Sequence, residues 1–393
     1  MAEVINFKKR KVIEAEKTAA ARIEAIDILR GLCVMGMILV AYAGDWTHRF
    51  VVLNHADWHG LALADMIFPG FLLCVGAAIP LSFASRAAAQ SKTQLAGHVL
   101  FRVVALFALG VGLNLLPHFD FAHVRIMGIL QRIALCYGVT ALLCLALGRK
   151  SETDFTLKIW PLALGALAVL TAYALLLVVS VPGEGAFDSR LALPAVVDRA
   201  VFTADHLWPY GTTDGVVTYD PEGLLSTIGA VFNVMLGAMV ALQIRSKGLK
   251  PSLLLLGFCA LVLFVAGAGL DRQVPIIKKL WTPSFALLSG GFTLLLFVVL
   301  AVIADVVKWR RWAVPAKVFG ANAVLAFIGI SLLDAVAGLP LMAGQSVHGA
   351  AAAALGSVIA EARLASLAYS VILLLILLAV LWPLYSKKIF LKL

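Results

Sequence analysis

The sequence predicts an all-α fold, a polytopic integral membrane bundle of about ten transmembrane helices. Three properties predict it. Hydrophobic residues make up 62% of the 393 residues, charged residues only 14%, and the mean hydropathy is +0.98. Soluble domains carry about 25% charged residues, so a soluble enzyme, a disordered chain and a nucleic-acid-binding protein are excluded. The net charge of +10 is then a guide to membrane topology.

Ten apolar segments are each about long enough to cross a hydrocarbon core of ~30 Å at ~1.5 Å per residue. They run roughly over residues 28–44, 62–84, 95–116, 124–147, 159–181, 223–243, 251–270, 281–304, 315–334 and 365–385. Residues 1–25 are predicted to form a charged N-terminal tail and residues 26–388 the transmembrane domain. Two long hydrophilic loops, 45–61 and 182–222, leave this domain on the same side.

Basic residues predict which side that is. If both termini are cytoplasmic, 23 of the 32 Lys and Arg residues lie on the cytoplasmic side, as the positive-inside rule requires. Loops 45–61 and 182–222 then lie outside, together with seven of the eight histidines. Histidine titrates near neutral pH, so polar chemistry is expected on the outer side.

The densest polar cluster is Asn54-His55-Ala56-Asp57-Trp58-His59-Gly60, followed by Asp65 near the outer end of the second span. An ionisable group inside a span suggests a functional site. Three interpretations stay open: a wetted loop that Trp58 anchors at the membrane interface; a metal site of His55, His59 and Asp65; or general-base catalysis by His55 with an acid that orients it.

Three arginines lie in or beside predicted spans. Arg132 is about two turns inside the fourth span, where a charge is costly, so it either lines a polar cavity or extends to the outer surface. Arg30 follows Asp27 by three residues at the inner end of the first span. This spacing favours an i,i+3 ion pair; an anionic cofactor bound at the inner face, with Arg102 and Lys317 contributing, is the alternative.

The run Tyr219-Asp220-Pro221-Glu222-Gly223 is typical of a helix start. Asp220 is a good N-cap, proline is favoured at the first helical position, and Glu222 would complement the helix dipole. The sixth span is therefore predicted to open here.

Several long motifs resemble, in the same order, those of the heparan-α-glucosaminide N-acetyltransferase family and its bacterial relatives. They are RIEAIDILRG (22–31), LNHADWHGLALADMIFPGFLLCVG (53–76), GILQRIALCYG (128–138), VVDRAVFTADHLW (196–208), YDPEGLLSTIGAVFNVMLG (219–237), KKLWTPSFALLSGG (278–291) and FGANAVLAF (319–327). The resemblance covers about residues 22–385.

The resemblance implies a transmembrane acetyltransferase that passes acetyl groups from cytosolic acetyl-CoA to an amino sugar or glycan amine outside. The family's catalytic histidine lies in an H-A-x-W motif, which here is His55, and Asp65 is expected beside it. Acceptor-binding residues are expected among Asn54, Trp58, His59, Asp198, His206 and Glu222, and cofactor-binding residues among Arg30, Arg102 and Arg132. No metal is expected. Many relatives carry Asn where this chain has Ala41, which puts the retention of activity in question.

The resemblance also implies a setting and an alternative. A bacterial member is expected in the inner membrane, with the lipid bilayer, acetyl-CoA and the acceptor as its partners; homo-oligomerisation stays open. Some bacterial relatives are described as amino-sugar transport proteins, so an amino-sugar permease without acetyltransferase activity is the alternative function.

Overall fold

The computed structural model describes residues 23–181, 183–342 and 344–391, so residues 1–22 of the predicted tail lie outside the described residues. Thirteen α-helices make up most of the described chain. They are α1 (Glu24–Ala41), α2 (Ile67–Arg86), α3 (Lys92–Asn114), α4 (Ile129–Leu147), α5 (Ile159–Ser180), α6 (Leu193–Phe202), α7 (Thr227–Lys247), α8 (Leu249–Leu270), α9 (Pro283–Ala301), α10 (Val314–Ala321), α11 (Ala323–Gly338), α12 (Val347–Val358) and α13 (Ala362–Ser386). The all-α fold is confirmed.

The few strands form short antiparallel ribbons in the connections. Each ribbon has two strands: β1 (Arg149–Lys150) with β2 (Phe155–Thr156), β3 (Thr212–Thr213) with β4 (Val216–Val217), and β5 (Pro340–Met342) with β6 (Gln345–Ser346). Single helical turns complete the connections, including the 3-10 turn Leu63–Met66 just before α2.

Eight helical stretches of the described residues are long and apolar enough to cross a membrane. They are Leu63–Arg86, Lys92–Asn114, Ile129–Leu147, Ile159–Ser180, Thr227–Lys247, Leu249–Leu270, Pro283–Val306 and Ala362–Ser386. Each corresponds to one of the ten predicted segments. The protein is therefore a polytopic helical membrane protein.

The remaining two segments are helical but differ from simple spans. Segment 28–44 is α1, which begins at Glu24 and has acidic residues in its first turn. Segment 315–334 is broken between α10 and α11 by a bend of 77°. Asn322 lies at the break, and its side-chain amide hydrogen-bonds to the backbone of Ile389 and Leu391 at 3.0 Å each.

The predicted helix start at Asp220 is wrong. Helix α7 begins at Thr227, and the Asp220 carboxylate instead accepts hydrogen bonds from the Arg125 guanidinium at 2.8 and 2.5 Å. Glu222 also pairs with Arg125, at 2.6 Å. A bidentate charged pair in a buried place is stronger than a capping bond, which explains why these carboxylates hold a loop together instead.

Helix α7 occupies the centre of the bundle, since 83% of its apolar stretch is buried. Its closest neighbour is α2, and glycines let the two backbones touch. A Cβ on Gly76 would lie 1.8 Å from the Val234 carbonyl oxygen, and one on Gly237 would lie 1.9 Å from the Leu73 carbonyl oxygen. Small residues at such crossings are the usual basis of close helix packing in membranes.

Helices α3 and α8 lie at the periphery, with only 22% and 17% of their apolar stretches buried. Their outward side chains are large and apolar; Phe101 is 67% exposed and Leu254 is 86% exposed. In a membrane protein these surfaces face the lipid tails.

Loops 45–61 and 182–222 meet at one end of the bundle, which we call the His55 end. The Trp58 indole of the first loop donates to the Phe187 carbonyl of the second at 2.8 Å. The connection between α8 and α9 lies at the same end, since the Gly60 amide donates to the Ile276 carbonyl at 2.9 Å. Helix α2 runs from here to Arg86 at the opposite end, which we call the Arg30 end.

Candidate active site

A cavity of about 1,320 Å³ runs along one face of α2. Its lining from this helix recurs with helical spacing: Ile67, Phe68, Phe71, Cys74, Val75, Ala78, Ile79, Ser82, Phe83 and Arg86. Nineteen steps separate the first and the last of these residues, which at ~1.5 Å per residue is roughly 30 Å, the thickness of a hydrocarbon core. The cavity therefore reaches from the His55 end to the Arg30 end.

His55 lines the cavity at its own end. Its Nδ1 lies 2.7 Å from Oδ1 of Asp65. The His55 side chain is 39% exposed, whereas that of Asp65 is fully buried. The backbone amides of Ala62 and Ala56 donate to the other Asp65 oxygen at 2.9 and 3.3 Å. Asp65 is thus held as an acceptor, which fixes the Nδ1–H tautomer of His55 and leaves Nε2 with its lone pair.

Two other histidine–aspartate pairs have the same 2.7 Å contact. They join His48 to Asp45 and His123 to Asp120. Both pairs are local, three residues apart, and their carboxylates are 45% and 54% exposed. Neither histidine lines the cavity. Burial of the carboxylate is therefore what distinguishes the His55 pair, because a buried charge interacts more strongly with its partner.

Lys278 is a third member of this site. Its Nζ lies 3.2 and 3.4 Å from the two ring nitrogens of His55 and 3.8 Å from Oδ1 of Asp65. Burial lowers the pKa of His55, and the nearby Lys278 charge lowers it further, while Asp65 opposes both. His55 is consequently favoured in its neutral form. The sequence analysis missed Lys278. Two signals were present in the sequence: Lys278 begins the motif KKLWTPSFALLSGG, and the Lys278-Lys279 pair lies on a side that otherwise holds few basic residues.

Five of the residues expected from sequence line the one cavity: Asn54, His55, Glu222, Arg30 and Arg102. Ala41 lines it as well. The structure thus joins residues that are distant in sequence and lie at opposite ends of the bundle.

Four expected acceptor-binding residues do not line the cavity: Trp58, His59, Asp198 and His206. Trp58 packs edge-on against Tyr219, and His206 Nδ1 contacts the Val124 carbonyl at 2.8 Å. Asp198 is buried behind Gly223 and accepts from the Leu224 amide at 2.9 Å. These contacts organise loop 182–222 rather than the cavity wall.

Arg132 is also outside the cavity lining. It is fully buried, hydrogen-bonds to Ser226 Oγ and to the Gly223 carbonyl, and lies over the Trp281 ring at 5.0 Å. Its Nε and Nη1 atoms have no hydrogen-bond partner. Arg132 therefore supports the wall behind the site. It neither lines the cavity nor extends to the surface, the two placements that the sequence left open.

Aromatic residues line the cavity mouth at the His55 end. Trp46, Trp208 and Tyr210 are among the lining residues, and Trp46 and Tyr210 are 59% and 76% exposed. The carboxylates of Asp57 and Glu222 line the same region. Aromatic faces beside acidic groups provide apolar stacking surfaces and hydrogen-bond acceptors together.

The Arg30 end of the cavity is basic. Arg30 forms the expected ion pair with Asp27 at 2.8 Å and also donates to the Gly320 carbonyl at 2.5 Å. The Arg102 guanidinium lies 4.8 Å from the centre of the Tyr137 ring. Arg86, which the sequence analysis did not single out, lines the cavity where α2 ends.

No group of three or more His, Cys, Asp or Glu side chains in the described ranges is arranged to hold a metal ion. The interpretation of His55, His59 and Asp65 as a metal site therefore has no geometric support among these residues. A histidine base held by a buried carboxylate beside a lysine is suited to proton abstraction.

A family model described as heparan-alpha-glucosaminide N-acetyltransferase, catalytic, matches residues 22–211. The heparan-alpha-glucosaminide N-acetyltransferase of Mus musculus is 26% identical over 366 residues, 82% of this chain. The protein of that name from Homo sapiens is 26% identical over 359 residues, 80% of this chain. This chain is similar to the heparan-α-glucosaminide N-acetyltransferases. It spans about half the length of these two relatives, 55% and 53%.

The range matched by the family model contains part of the cavity lining. The matched range of the family model contains His55, Asp65, Arg30 and Arg102 but ends before Glu222 and Lys278. The part of the chain that resembles these N-acetyltransferases thus includes the histidine centre at one end of the cavity and two of the arginines at the other.

Proposed function

We propose that this protein is a transmembrane acetyltransferase. In this proposal, acetyl-CoA binds from the Arg30 end, and its acetyl group is transferred at the His55 end to the amine of an amino sugar or glycan. The observation that carries the proposal is the cavity that joins a basic end to a histidine paired with a buried aspartate about one membrane thickness away.

The donor fits the shape and charge of the cavity. CoA combines phosphate groups with a long, flexible arm that ends in the thioester. Arg30, Arg86 and Arg102 supply guanidinium groups, which bind phosphate well. Between them and His55 the α2 face of the cavity is mainly apolar, and so suits an extended arm.

The chemistry follows from the tautomer of His55. The neutral amine of the acceptor attacks the thioester carbonyl carbon, and the carbonyl electrons move onto its oxygen. Nε2 of His55 takes the proton from the nitrogen. The intermediate then collapses, the carbon–sulfur bond breaks, and the thiolate recovers that proton from His55. The products are an N-acetylated amine and free CoA thiol.

The acceptor fits the mouth at the His55 end. The relatives are named for acetylation of heparan α-glucosaminide, and an amino sugar presents an amine, hydroxyls and an apolar face. Trp46 and Tyr210 offer exposed rings for that face, and Asp57 and Glu222 offer acceptors for its polar groups.

We also propose the orientation that the basic residues predict, with the His55 end outside and both termini in the cytoplasm of a bacterial cell. Single cysteines in place of Asp205 and Lys387, in a chain whose partly exposed Cys259 is changed to Ser, test it with an impermeant thiol reagent. Intact cells should be labelled at position 205 only. Labelling at position 387 in intact cells would refute this orientation.

Acetyl transfer is tested in proteoliposomes with labelled acetyl-CoA and glucosamine. Wild-type protein should form N-acetylglucosamine and release CoA thiol, and His55→Ala should lose at least ~100-fold in turnover. His123→Ala is the matched control because it removes an equally close but exposed histidine–aspartate pair. Arg30→Ala combined with Arg102→Ala should weaken acetyl-CoA binding more than acceptor binding. Full turnover in His55→Ala would remove the mechanism.

A permease for amino sugars is the second candidate, since a cavity that reaches both ends is also what transport requires. It predicts uptake of unmodified, labelled glucosamine in the absence of acetyl-CoA, with no acetylated product. Acetylation without uptake of free sugar would exclude it.

A further inference from the structure

We propose that Lys278 is a second catalytic residue of the His55 centre: its ammonium group stabilises the negative oxygen of the tetrahedral intermediate and keeps His55 free of a proton. This inference rests on the proposed acetyl transfer. It concerns a residue beyond the matched range of the family model.

The position of Lys278 is the first argument. Its side chain is only 13% exposed, yet its Nζ reaches the cavity within 3.4 Å of both ring nitrogens of His55. With Nδ1 of His55 committed to Asp65, the attacking amine must lie against Nε2, and the carbonyl carbon that it attacks lies next to this amine. The carbonyl oxygen then develops charge within reach of the Lys278 ammonium group. Preorganised positive charge at that point lowers the barrier because the site does not have to reorganise.

The charge balance of the site is the second argument. The pKa of Lys278 is lowered, mainly by burial, and the carboxylates of Glu222 and Asp65 oppose this shift by favouring the ammonium form. The charged groups that act on Lys278 or His55 electrostatically are Asp65, Glu222, Arg132 and Lys279. Glu222 is itself tied to Arg125. Before the reaction, the negative charge of Asp65 and the positive charge of Lys278 lie on either side of a neutral His55. The tetrahedral intermediate then adds a positive charge on His55 and a negative charge on the carbonyl oxygen.

The other candidates for this role are less well placed. Arg132 is fully buried outside the cavity, and the methyl group of Ala41 has no hydrogen-bond donor. Asn54 lines the cavity and could donate a neutral hydrogen bond, but a neutral amide exerts no charge on His55. Lys278 alone among these four combines a charge with direct contact to the histidine.

The test compares Lys278→Met with Lys278→Arg and Lys279→Met in the full-length protein in nanodiscs. Lys279 is the matched control for the titration of His55, because its Nζ donates to the Asp57 carbonyl at 2.5 Å and it is not among the groups that shift His55. Turnover of acetyl-CoA with glucosamine is measured against pH, and acetyl-CoA binding is measured separately. We expect each variant to bind acetyl-CoA within about threefold of wild type, because Lys278 acts mainly in the transition state. Such binding also shows that the variant is folded.

Lys278→Met should lose roughly 100-fold or more in kcat, the usual effect of removing an oxyanion donor, with little change in the KM for acetyl-CoA. The acidic limb of its pH profile should move to higher pH. Lys278→Arg should keep the wild-type limb and an intermediate kcat, and Lys279→Met should keep the limb. Wild-type kcat and an unmoved limb in Lys278→Met would overturn the proposal.

A chemical titration separates this proposal from the acetyltransferase assignment. Diethylpyrocarbonate modifies only unprotonated histidine, so the rate of modification of His55 against pH reports its protonation without any turnover. His55→Ala supplies the background from the other histidines. Lys278→Met should raise the midpoint, and an unchanged midpoint would overturn the electrostatic role of Lys278. An inactive wild-type protein with a raised midpoint in Lys278→Met would instead refute the acetyl transfer and, with it, the oxyanion role.

Discussion

Replacing Asp65 with Asn should damage catalysis far more than it damages the fold. The carboxylate accepts hydrogen bonds from His55 Nδ1 at 2.7 Å, from the Ala62 amide at 2.9 Å and from the Ala56 amide at 3.3 Å. An asparagine of the same shape has one acceptor oxygen. If this oxygen stays on the backbone amides, the amide nitrogen faces His55 and requires Nδ1 to become an acceptor. The proton of the imidazole then moves to Nε2, and the group facing the cavity is no longer a base.

The magnitude follows from two losses. One hydrogen bond between a charged carboxylate and the forming imidazolium contributes roughly 1.5–3 kcal/mol, which at ~1.36 kcal/mol per factor of ten is about 10- to 150-fold in rate. The wrong tautomer must also be reversed before each turnover, so we expect kcat to fall by ~10²- to 10⁴-fold. Initial rates of CoA release at saturating acetyl-CoA and glucosamine measure this fall.

The control is Asp120→Asn, which changes the same type of pair with a 54% exposed carboxylate and should retain wild-type kcat. Thermal unfolding and acetyl-CoA binding show whether Asp65→Asn is folded. A folded Asp65→Asn protein with kcat within about twofold of wild type would refute the assignment of Asp65 as the residue that orients His55.

Three further predictions concern pH and packing. Because burial and a nearby positive charge lower the pKa of His55, its base form persists below its ordinary pKa of about 6.5; the acidic limb of kcat/KM should lie below that value, and a limb above it would contradict this electrostatic account. Burial raises the pKa of Asp198 to about 7, so the folded state holds its proton more tightly than the unfolded state, and stability should fall as pH rises from about 4 to 8. Asp198→Asn should flatten that dependence in thermal unfolding, and an unchanged slope would show that this carboxyl does not contribute. Gly76→Ala places a Cβ 1.8 Å from the Val234 carbonyl oxygen and should cost roughly 1–3 kcal/mol by overpacking, measured by unfolding in detergent. Gly257→Ala, where a Cβ meets no atom within 4 Å, should be neutral or slightly stabilising; equal destabilisation by both changes would show that helix contact is not the cause.

The spans and their approximate bounds could be predicted from sequence because burial in lipid requires long apolar helices, and length alone identifies them. The same reasoning could not predict the 77° break at Asn322. An isolated Asn in an apolar run is compatible with an intact helix. Only its contacts with Ile389 and Leu391, distant in sequence, reveal what its amide bonds to.

The candidate site could be predicted where its reactive residues lie close together in the sequence. His55 and Asp65 are ten residues apart, and their pairing needs only a short loop. Lys278 comes from more than two hundred residues away, and its contact with His55 is set by how the loops at the His55 end pack. At Asp220 the local sequence predicted a helix start that is not observed. Its carboxylate pairs with Arg125, which is distant in sequence, instead of capping a helix.

The cavity that reaches both ends of the bundle has a consequence for how turnover depends on the membrane potential. In the proposed reaction an acetyl group leaves through the His55 end, and the proton that replaces it on sulfur comes from the acceptor amine through His55. A formal acetyl cation thus moves outward while a proton moves inward, and no net charge crosses the bilayer. Were the thiolate protonated from the Arg30 end instead, each turnover would carry one charge, worth ~2.3 kcal/mol per 100 mV. The return of the proton through His55 would therefore make turnover independent of the potential, which potassium diffusion potentials imposed on proteoliposomes can measure.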